Sequence, residues 1–278
     1  FIENIAEEDE ELMEKFFEGD ENLSPEDVEK GLLLGMQERK IFPVFCAAAD
    51  KNIGVKSILD FIADYTESPL DKHAEKGHKP GSDQLVEVKP DPNGEPVIFI
   101  FKTVSEKNIG ELSFFRVYSG KVTPGLDMIN EANGKSERLS QMFSMNGKNR
   151  KDMPEVITGD IGAVVKLKDT HTNNTLSSKS YPVVLPEIIF PDPNITLAIH
   201  ARNKGDEDKI STALHSFHEE DPTFVSSFIP ETRETVISGQ GESHLQTVIK
   251  RMHEKYKLEV DITPPKIPYR ETIRSSVN

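Results

Sequence analysis

The chain has 278 residues, 36% of them hydrophobic and 29% charged, which is enough for two or three globular domains. Its formal charge of −15 argues against a protein that wraps nucleic acid over its whole surface, and its single cysteine, Cys46, excludes a disulfide framework and fits a reducing cytoplasm. No apolar run approaches the ~20 residues of a membrane-spanning helix and no signal peptide opens the chain, so no membrane contact is expected.

Residues 1–70 are the acidic part of the chain, with 18 of its 48 acidic residues but only 6 of its 33 basic ones. Their pattern predicts helix, helix, strand and helix, with Ser24 capping the second helix and Pro25 in its first turn. The predicted strand spans residues 41–47, and the alternation is typical of the last unit of a parallel-sheet α/β domain. Residues 71–94 are rich in Lys, His, Gly, Pro and Asp without periodicity, which predicts a linker.

Residues 95–186 change to short β-rich runs separated by glycine or proline turns. This spacing predicts an all-β domain, a closed antiparallel β-barrel. The predicted strands cover residues 97–104, 112–119, 126–130, 137–144, 160–167 and 182–185.

Residues 187–264 show the order strand, helix, strand, strand, helix, strand, which predicts an α+β domain with a ferredoxin-like βαββαβ sandwich. The apolar set of its first helix is predicted to be Ile210, Ala213, Leu214 and Phe217. Residues 265–278 then begin a further segment. The fold class is therefore a multidomain chain that joins a partial α/β unit, a β-barrel and a sandwich.

The Gly239-Gln240-Gly241 turn between the third strand and second helix of the sandwich invites comparison with a phosphate-binding loop. It lacks a further glycine and the Lys-Ser/Thr pair of a Walker sequence. We therefore predict a tight turn whose glycines adopt positive φ, with His244 making a hydrogen bond at the helix start.

Metal binding is not predicted. His215, His218 and Glu219 lie on or near one helix, with the two histidines three residues apart. Zinc requires at least a third ligand that converges with these histidines, and no cysteine is available. A solvated polar face is therefore the preferred interpretation.

Basic residues form clusters that are candidates for contact with RNA phosphates. The first is Lys148, Arg150 and Lys151, and the second is Arg202 and Lys204. A third lies on the last helix, at Lys250, Arg251, Lys255 and Lys257. Each cluster alone is more often a solvated face, and no aromatic stacking motif accompanies them.

Collinear blocks along nearly the whole chain resemble the elongation factor G family of translational GTPases. They are EEDEELMEKFFEGDE, PVFCAAA followed by KNIGV, GELSFFRVYSGKVTPG, GDIGAVVKLKDT, EEDPTF, SGQGESHL and PYRETI. The resemblance implies a fragment that runs from the end of the G domain through domains II and III to the start of domain IV. Residues 95–186 would then be the translation-factor barrel and residues 187–264 the ferredoxin-like domain.

By this resemblance the parent protein would bind GTP and Mg²⁺ and move tRNA and mRNA on the ribosome, as a cytoplasmic monomer. Its P-loop, switch regions, hydrolytic histidine and Asn-Lys-x-Asp motif would all precede Phe1, so the fragment contains no catalytic residue and should neither bind nor hydrolyse GTP. Ala47, Ala48 and Ala49 would occupy the guanine loop. The barrel would contact small-subunit rRNA, with ribosomal proteins as further partners and tRNA and mRNA as indirect ones.

The sequence also departs from the family pattern. Ala48 replaces the serine of the guanine loop, the barrel turn at residues 106–110 differs, and Ser243 and Gln246 replace a leucine and a glutamate of the SGxGELHLE motif. An interior serine at 243 would cost about 2 kcal/mol of apolar burial. These departures favour a divergent paralogue. They leave open a ribosome-protection GTPase that releases an antibiotic, or a non-catalytic module that docks on rRNA or protein.

Overall fold

The structure is a computed structural model that describes residues 1–19, 22–106, 110–203 and 205–273. The chain divides into two compact units, residues 1–73 and residues 74–278, and each is described by itself. Among the residues described, no helix has the length and apolar character needed to cross a membrane. The barrel turn at residues 106–110 falls largely on residues outside the described part.

The first unit consists of helices α1 (Ile2–Ala6), α2 (Glu10–Glu18), α3 (Pro25–Gln37) and α4 (Val55–Tyr65), with one 3₁₀ turn at Ala49–Lys51. The predicted cap of α3 is confirmed, because Ser24 Oγ accepts from the backbone N–H of Asp27 at 3.1 Å and Pro25 opens the helix. Helix α1 packs closely on α3 at Gly31, where a Cβ would lie 2.4 Å from Ile5 Cγ2. The buried side chains are Ile5, Ala6, Leu12, Phe16 and Leu32.

The strand predicted at residues 41–47 is wrong. A strand exists only through its pairing with a neighbour, and the described part of this unit contains no other strand to pair with. Phe42 and Val44 are 73% and 90% exposed, so the segment is an extended apolar stretch without a sheet. The pairing that follows this segment is a short-range one, an isolated β-bridge between Ala48 and Ile53.

The linker predicted at residues 71–94 contains a hairpin, β1 (Glu75–His78) and β2 (Leu85–Val88). Its runs of four residues are too short to give a periodic signal. Val88 is buried with Val97, Val183 and Leu185, and His78 bridges to Val184. The predicted strand at residues 182–185 therefore forms only this bridge, and it fastens the hairpin to the barrel.

The barrel is a rolled antiparallel sheet of eight strands, in the order β7-β6-β12-β3-β4-β11-β8-β9, with a separate β5–β10 pair. One core lies inside it, built by residues from across this order such as Met128, Ile100, Phe115 and Met142. The prediction of an antiparallel β-barrel is thus confirmed as an antiparallel sheet around one core, although its closure is not seen, because the edge strands β7 and β9 do not pair with each other in the described part. The strands are β3 (Val97–Glu106), β4 (Gly110–Ser119), β5 (Lys121–Val122), β6 (Asp127–Asn130), β7 (Lys135–Arg138), β8 (Met142–Asn146), β9 (Asn149–Asp152), β10 (Val156–Ile157), β11 (Ile161–Val165) and β12 (Thr175–Ser177).

The strand predicted at residues 137–144 is two strands, because the chain leaves β7 and enters β8 around Leu139, whose side chain fills the barrel core. Strands β5, β9, β10 and β12 were not predicted. Each has two to four residues, which is too short for an alternating pattern to stand out.

Two buried polar side chains hold the loop between β11 and β12 against the barrel. The Glu137 carboxylate, 4% exposed, accepts from the backbone N–H groups of Lys168 and Asp169 and from Thr170 Oγ1, at 2.8–3.2 Å. Asn130, fully buried, donates from Nδ2 to Asp169 O, Thr170 Oγ1 and Asn174 Oδ1. We define residues 168–174 as the anchored loop.

The sandwich has the predicted order: β13 (Ile195–Ala201), α5 (Glu207–Glu220), β14 (Val225–Ile229), β15 (Glu234–Gly239), α6 (Glu242–Tyr256) and β16 (Val260–Thr263). Its antiparallel sheet has the order β14-β15-β13-β16, which is the ferredoxin-like topology. The predicted apolar set of α5, Ile210, Ala213, Leu214 and Phe217, is buried, and it packs with Leu245, Val248 and Met252 of α6.

Replacing Glu137 by alanine should lower the free energy of unfolding by about 2–3 kcal/mol, because three donors of the anchored loop, one of them on the buried Thr170, lose their acceptor. Urea denaturation measures the change. Glu155→Ala is the matched control, since Glu155 is half exposed and lies 3.5 Å from Lys121 Nζ. Its cost should stay within about 0.5 kcal/mol. Equal losses in the two variants would contradict the anchoring role.

Candidate functional site

The first basic cluster lies on the hairpin formed by β8 and β9, which we call the basic hairpin. Its turn is tight because Asn146 pairs with Asn149, and Gly147 adopts φ +58°, which a glycine tolerates without strain. Lys148 occupies the turn, and Arg150 and Lys151 follow on β9, all three exposed. The structure therefore brings the three predicted residues together at one end of the barrel.

The charges of the basic hairpin are not neutralised within the described part of the chain, where no carboxylate forms an ion pair with any of the three. The nearest acid in sequence, Asp152, instead accepts from Gln141 Nε2 at 2.7 Å. The guanidinium of Arg150 lies 5.6 Å from the centre of the buried Phe143 ring, a cation–π contact that limits its rotamers. Phe143 was missed by sequence reasoning, because its diagonal position to Arg150 follows from the register of β8 and β9, which only the structure gives.

Arg202, from the second cluster, is paired with carboxylates, unlike the cations of the basic hairpin. Its guanidinium donates to Asp261 Oδ1 from Nη2 at 2.6 Å and from Nε at 3.2 Å, and Glu259 lies 3.5 Å away. The hydrogen bonds between them raise the pKa of Arg202 and lower the pKa of the Asp261 carboxyl. Arg202 is thus already paired inside the sandwich, and Lys204 lies outside the described residues.

The third cluster is also largely paired. Arg251 and Lys255 of α6 both contact the carboxylate of Glu220 on α5, and Lys250 lies 4.0 Å from Glu254 one turn along the same helix. The proximity of basic residues in sequence therefore does not give three equivalent phosphate sites. Among the described residues of the three clusters, every cation of the basic hairpin lacks a carboxylate partner, whereas in the third cluster Lys257 alone lacks one.

Ala47, Ala48 and Ala49 lie together on the loop that precedes α4. Ala48 is half-buried, and its N–H and C=O both pair with Ile53, at 3.1 Å each. Gly54 closes the loop with φ +76°, and a Cβ there would lie 3.0 Å from Cys46 O. The backbone N–H of Ala48 is therefore already used within the loop, whereas Ala47 and Ala49 are exposed.

The glycine turn before α6 is a tight strand-to-helix turn, but the predicted reason for its glycines is wrong. Gly241 has φ 178°, an extended conformation open to any residue, and Gly239 does not lie in the left-handed region either. Gly239 is instead required by close approach, because a Cβ would lie 2.8 Å from His244 Nδ1 and 2.9 Å from Leu245 Cδ2.

His244 makes the predicted hydrogen bond at the helix start, accepting at Nδ1 from the N–H of Gln240 at 3.1 Å. Its Nε2 lies 3.1 Å from Asp221 Oδ2 without the alignment of a hydrogen bond. Ser243 is exposed, so the expected loss of apolar burial does not arise in this chain. Gln246 Nε2 donates to Glu242 Oε1 at 3.0 Å, along the exposed face of α6.

The three polar residues near the end of α5 have different surroundings. His215 is exposed, His218 Nδ1 donates to Phe224 O at 2.7 Å, and Glu219 Oε2 accepts from His171 Nδ1 at 2.6 Å. Within the described ranges, no group of three or more His, Cys, Asp or Glu side chains could hold a metal ion.

Two family models match the chain in the order of its domains. Residues 95–179 match the model described as elongation factor G domain 2, and residues 190–264 match elongation factor G, domain III. Together they cover more than half of the chain. A crystal structure of a protein from Thermus thermophilus is similar over 97% of this chain, with 30% sequence identity and a TM-score of 0.79. This chain covers 38% of that protein, so it spans well under half of its length.

Replacing Gly239 by alanine should lower the free energy of unfolding by about 1–3 kcal/mol, because the added methyl overpacks against His244 and Leu245. Gly241→Ala is the control, since a Cβ there meets nothing within 4 Å. It should cost only about 0.5 kcal/mol, from a weaker helix cap. Chemical denaturation of both variants decides the matter. A more damaging Gly241→Ala would show that backbone freedom, and not close approach, sets this turn.

Proposed function

Because the chain belongs to the elongation factor G family, we propose that it is part of a GTPase that moves tRNA and mRNA through the ribosome during elongation. The observation that carries this proposal is the succession of the two elongation factor G domains in one chain, in the order 2 and then III. This chain spans only part of the length of the similar Thermus thermophilus protein. The activity is therefore proposed for the protein as a whole, acting in the cytoplasm.

The nucleotide would be bound largely by residues other than these. The loop with Ala47, Ala48 and Ala49 is the part of this chain that would lie beside the guanine base, with Ala47 and Ala49 exposed for it. Hydrolysis of GTP would supply the free energy, with Mg²⁺ neutralising phosphate charge. The role of this chain would be to bind the ribosome and to respond to the nucleotide by rigid-body rearrangement.

The basic hairpin is the proposed contact with small-subunit rRNA. Lys148, Arg150 and Lys151 are exposed and have no carboxylate partner in the described part, so their positive field is available to phosphates. The stacking of Arg150 on Phe143 holds one of these cations in place before binding, which reduces the entropy lost in the contact. Phosphate contacts of this kind position a protein on RNA without reading its sequence.

Replacing Lys148, Arg150 and Lys151 together by alanine should weaken binding of this chain to purified small ribosomal subunits. The slope of log K against log salt is negative, and it should become less steep by about 2–3, since up to three phosphate contacts are lost. Co-sedimentation across a salt series measures both quantities.

Arg202→Ala is the matched control for this experiment, because that guanidinium is already bound to Asp261. It should leave the slope unchanged. If the control lowers the slope as much as the triple variant does, the sandwich and not the basic hairpin carries the rRNA contact.

The translocation itself is tested by toeprinting with the GTP-loaded protein that contains this chain. We expect the mRNA to advance by one codon on ribosomes that carry a peptidyl-tRNA in the decoding site. Ribosome binding without movement, together with release of a bound antibiotic, would instead select the ribosome-protection function. Binding with neither outcome would leave a docking module.

A further inference from the structure

Hydrogen bonds of polar side chains connect the barrel to the sandwich. The hydrophobic core of the barrel and that of the sandwich have no residue in common within the described part of the chain. What crosses between them includes side-chain hydrogen bonds from two places, the anchored loop and helix α6. A joint of this kind differs from the apolar interfaces that fix domains permanently.

The anchored loop provides the first contacts across the boundary. His171 Nδ1 donates to Glu219 Oε2 on α5 at 2.6 Å. Two residues further, Asn173 accepts at Oδ1 from the N–H of Ile188 and donates from Nδ2 to Ile188 O, at 3.0 and 3.1 Å. Because Glu137 and Asn130 hold this loop to the barrel, both contacts start from a rigid base.

Lys255 provides the contact from the other side. Its ammonium on α6 donates to Ser105 O on β3 at 3.0 Å and to Glu220 Oε1 at 2.7 Å. The Glu220 side chain is only 6% exposed, and it is also contacted by Arg251. A buried carboxylate requires such partners, so Glu220 keeps the ammonium in place whether or not the barrel is docked.

We propose that Lys255, positioned by Glu220, is a releasable latch that sets the orientation of the sandwich on the barrel, with His171–Glu219 as its second contact. When the latch opens, the only bond lost by Lys255 is the one to Ser105 O, and water can replace it. The ion pairs within the sandwich stay intact, and no apolar core is broken. The orientation can therefore change at low cost while each domain remains folded.

A distance measurement between two spin labels on this chain, by double electron–electron resonance, tests the latch. Spin labels are attached through the substitutions Ser136→Cys and Ser243→Cys, both at exposed positions, in a background that carries Cys46→Ser. Lys255→Met should raise the population of orientations other than the docked one about tenfold, the loss expected for one charge-assisted hydrogen bond. Lys250→Met is the matched control, because Lys250 lies on the same helix, is highly exposed and has only Glu254 nearby. It should leave the distance distribution unchanged.

A second variant guards against misfolding of the first. Glu219→Gln weakens the contact with His171 and leaves Glu220 and Lys255 in place, and it should give a smaller rise in the same population. Circular dichroism verifies that each variant retains its helices. If neither variant differs from Lys250→Met, the latch is overturned. The measurement involves no ribosome, so its outcome is separate from the fate of the proposed function.

Discussion

The burial of Glu137 inside the barrel is the constraint on which much of the second unit depends. A carboxylate that is 4% exposed would be strongly destabilising without donors, and the anchored loop supplies three of them. Asn130 completes the arrangement from the neighbouring strand. The loop is therefore held in one conformation, and through His171 and Asn173 it meets both α5 and the segment that leads into the sandwich. A polar requirement within one domain thus fixes the surface on which the next domain rests.

The basic residues have different roles because their partners differ. Arg202, Arg251 and Lys255 lie in the sandwich and are bound to carboxylates of the same domain, where they join strands and helices. The cations of the basic hairpin have no such partner in the described residues, and their field extends into solvent. The Arg202–Asp261 pair is exposed and contributes little to stability, whereas Arg251 and Lys255 satisfy the buried carboxylate of Glu220. In the proposed contact with rRNA, the hairpin charges would act on association, because phosphates release their counterions on contact.

The sequence predicted best what depends on periodicity within one element. The apolar face of α5 follows from a spacing of three and four residues, and it is buried as expected. It failed where structure depends on a distant partner. The apolar run at residues 41–47 has strand character but no strand beside it in the described part, and the short strands β5, β9, β10 and β12 exist only through their neighbours. The pairing of Arg202 with Asp261, 59 residues away, was equally invisible.

The reason for the glycine turn also depends on contacts that the sequence did not reveal. Gly239 is required by two side chains of the helix that follows, so the turn serves the packing of α6 against β15. That packing belongs to a core that includes Phe217, Phe224 and Leu245 and is complete within the sandwich. A domain whose core is self-sufficient, and which shares no core residue with its neighbour in the described part, retains its internal structure when the boundary changes. It can therefore move as a rigid body, which is the property that the proposed relay between a nucleotide and a ribosome would require.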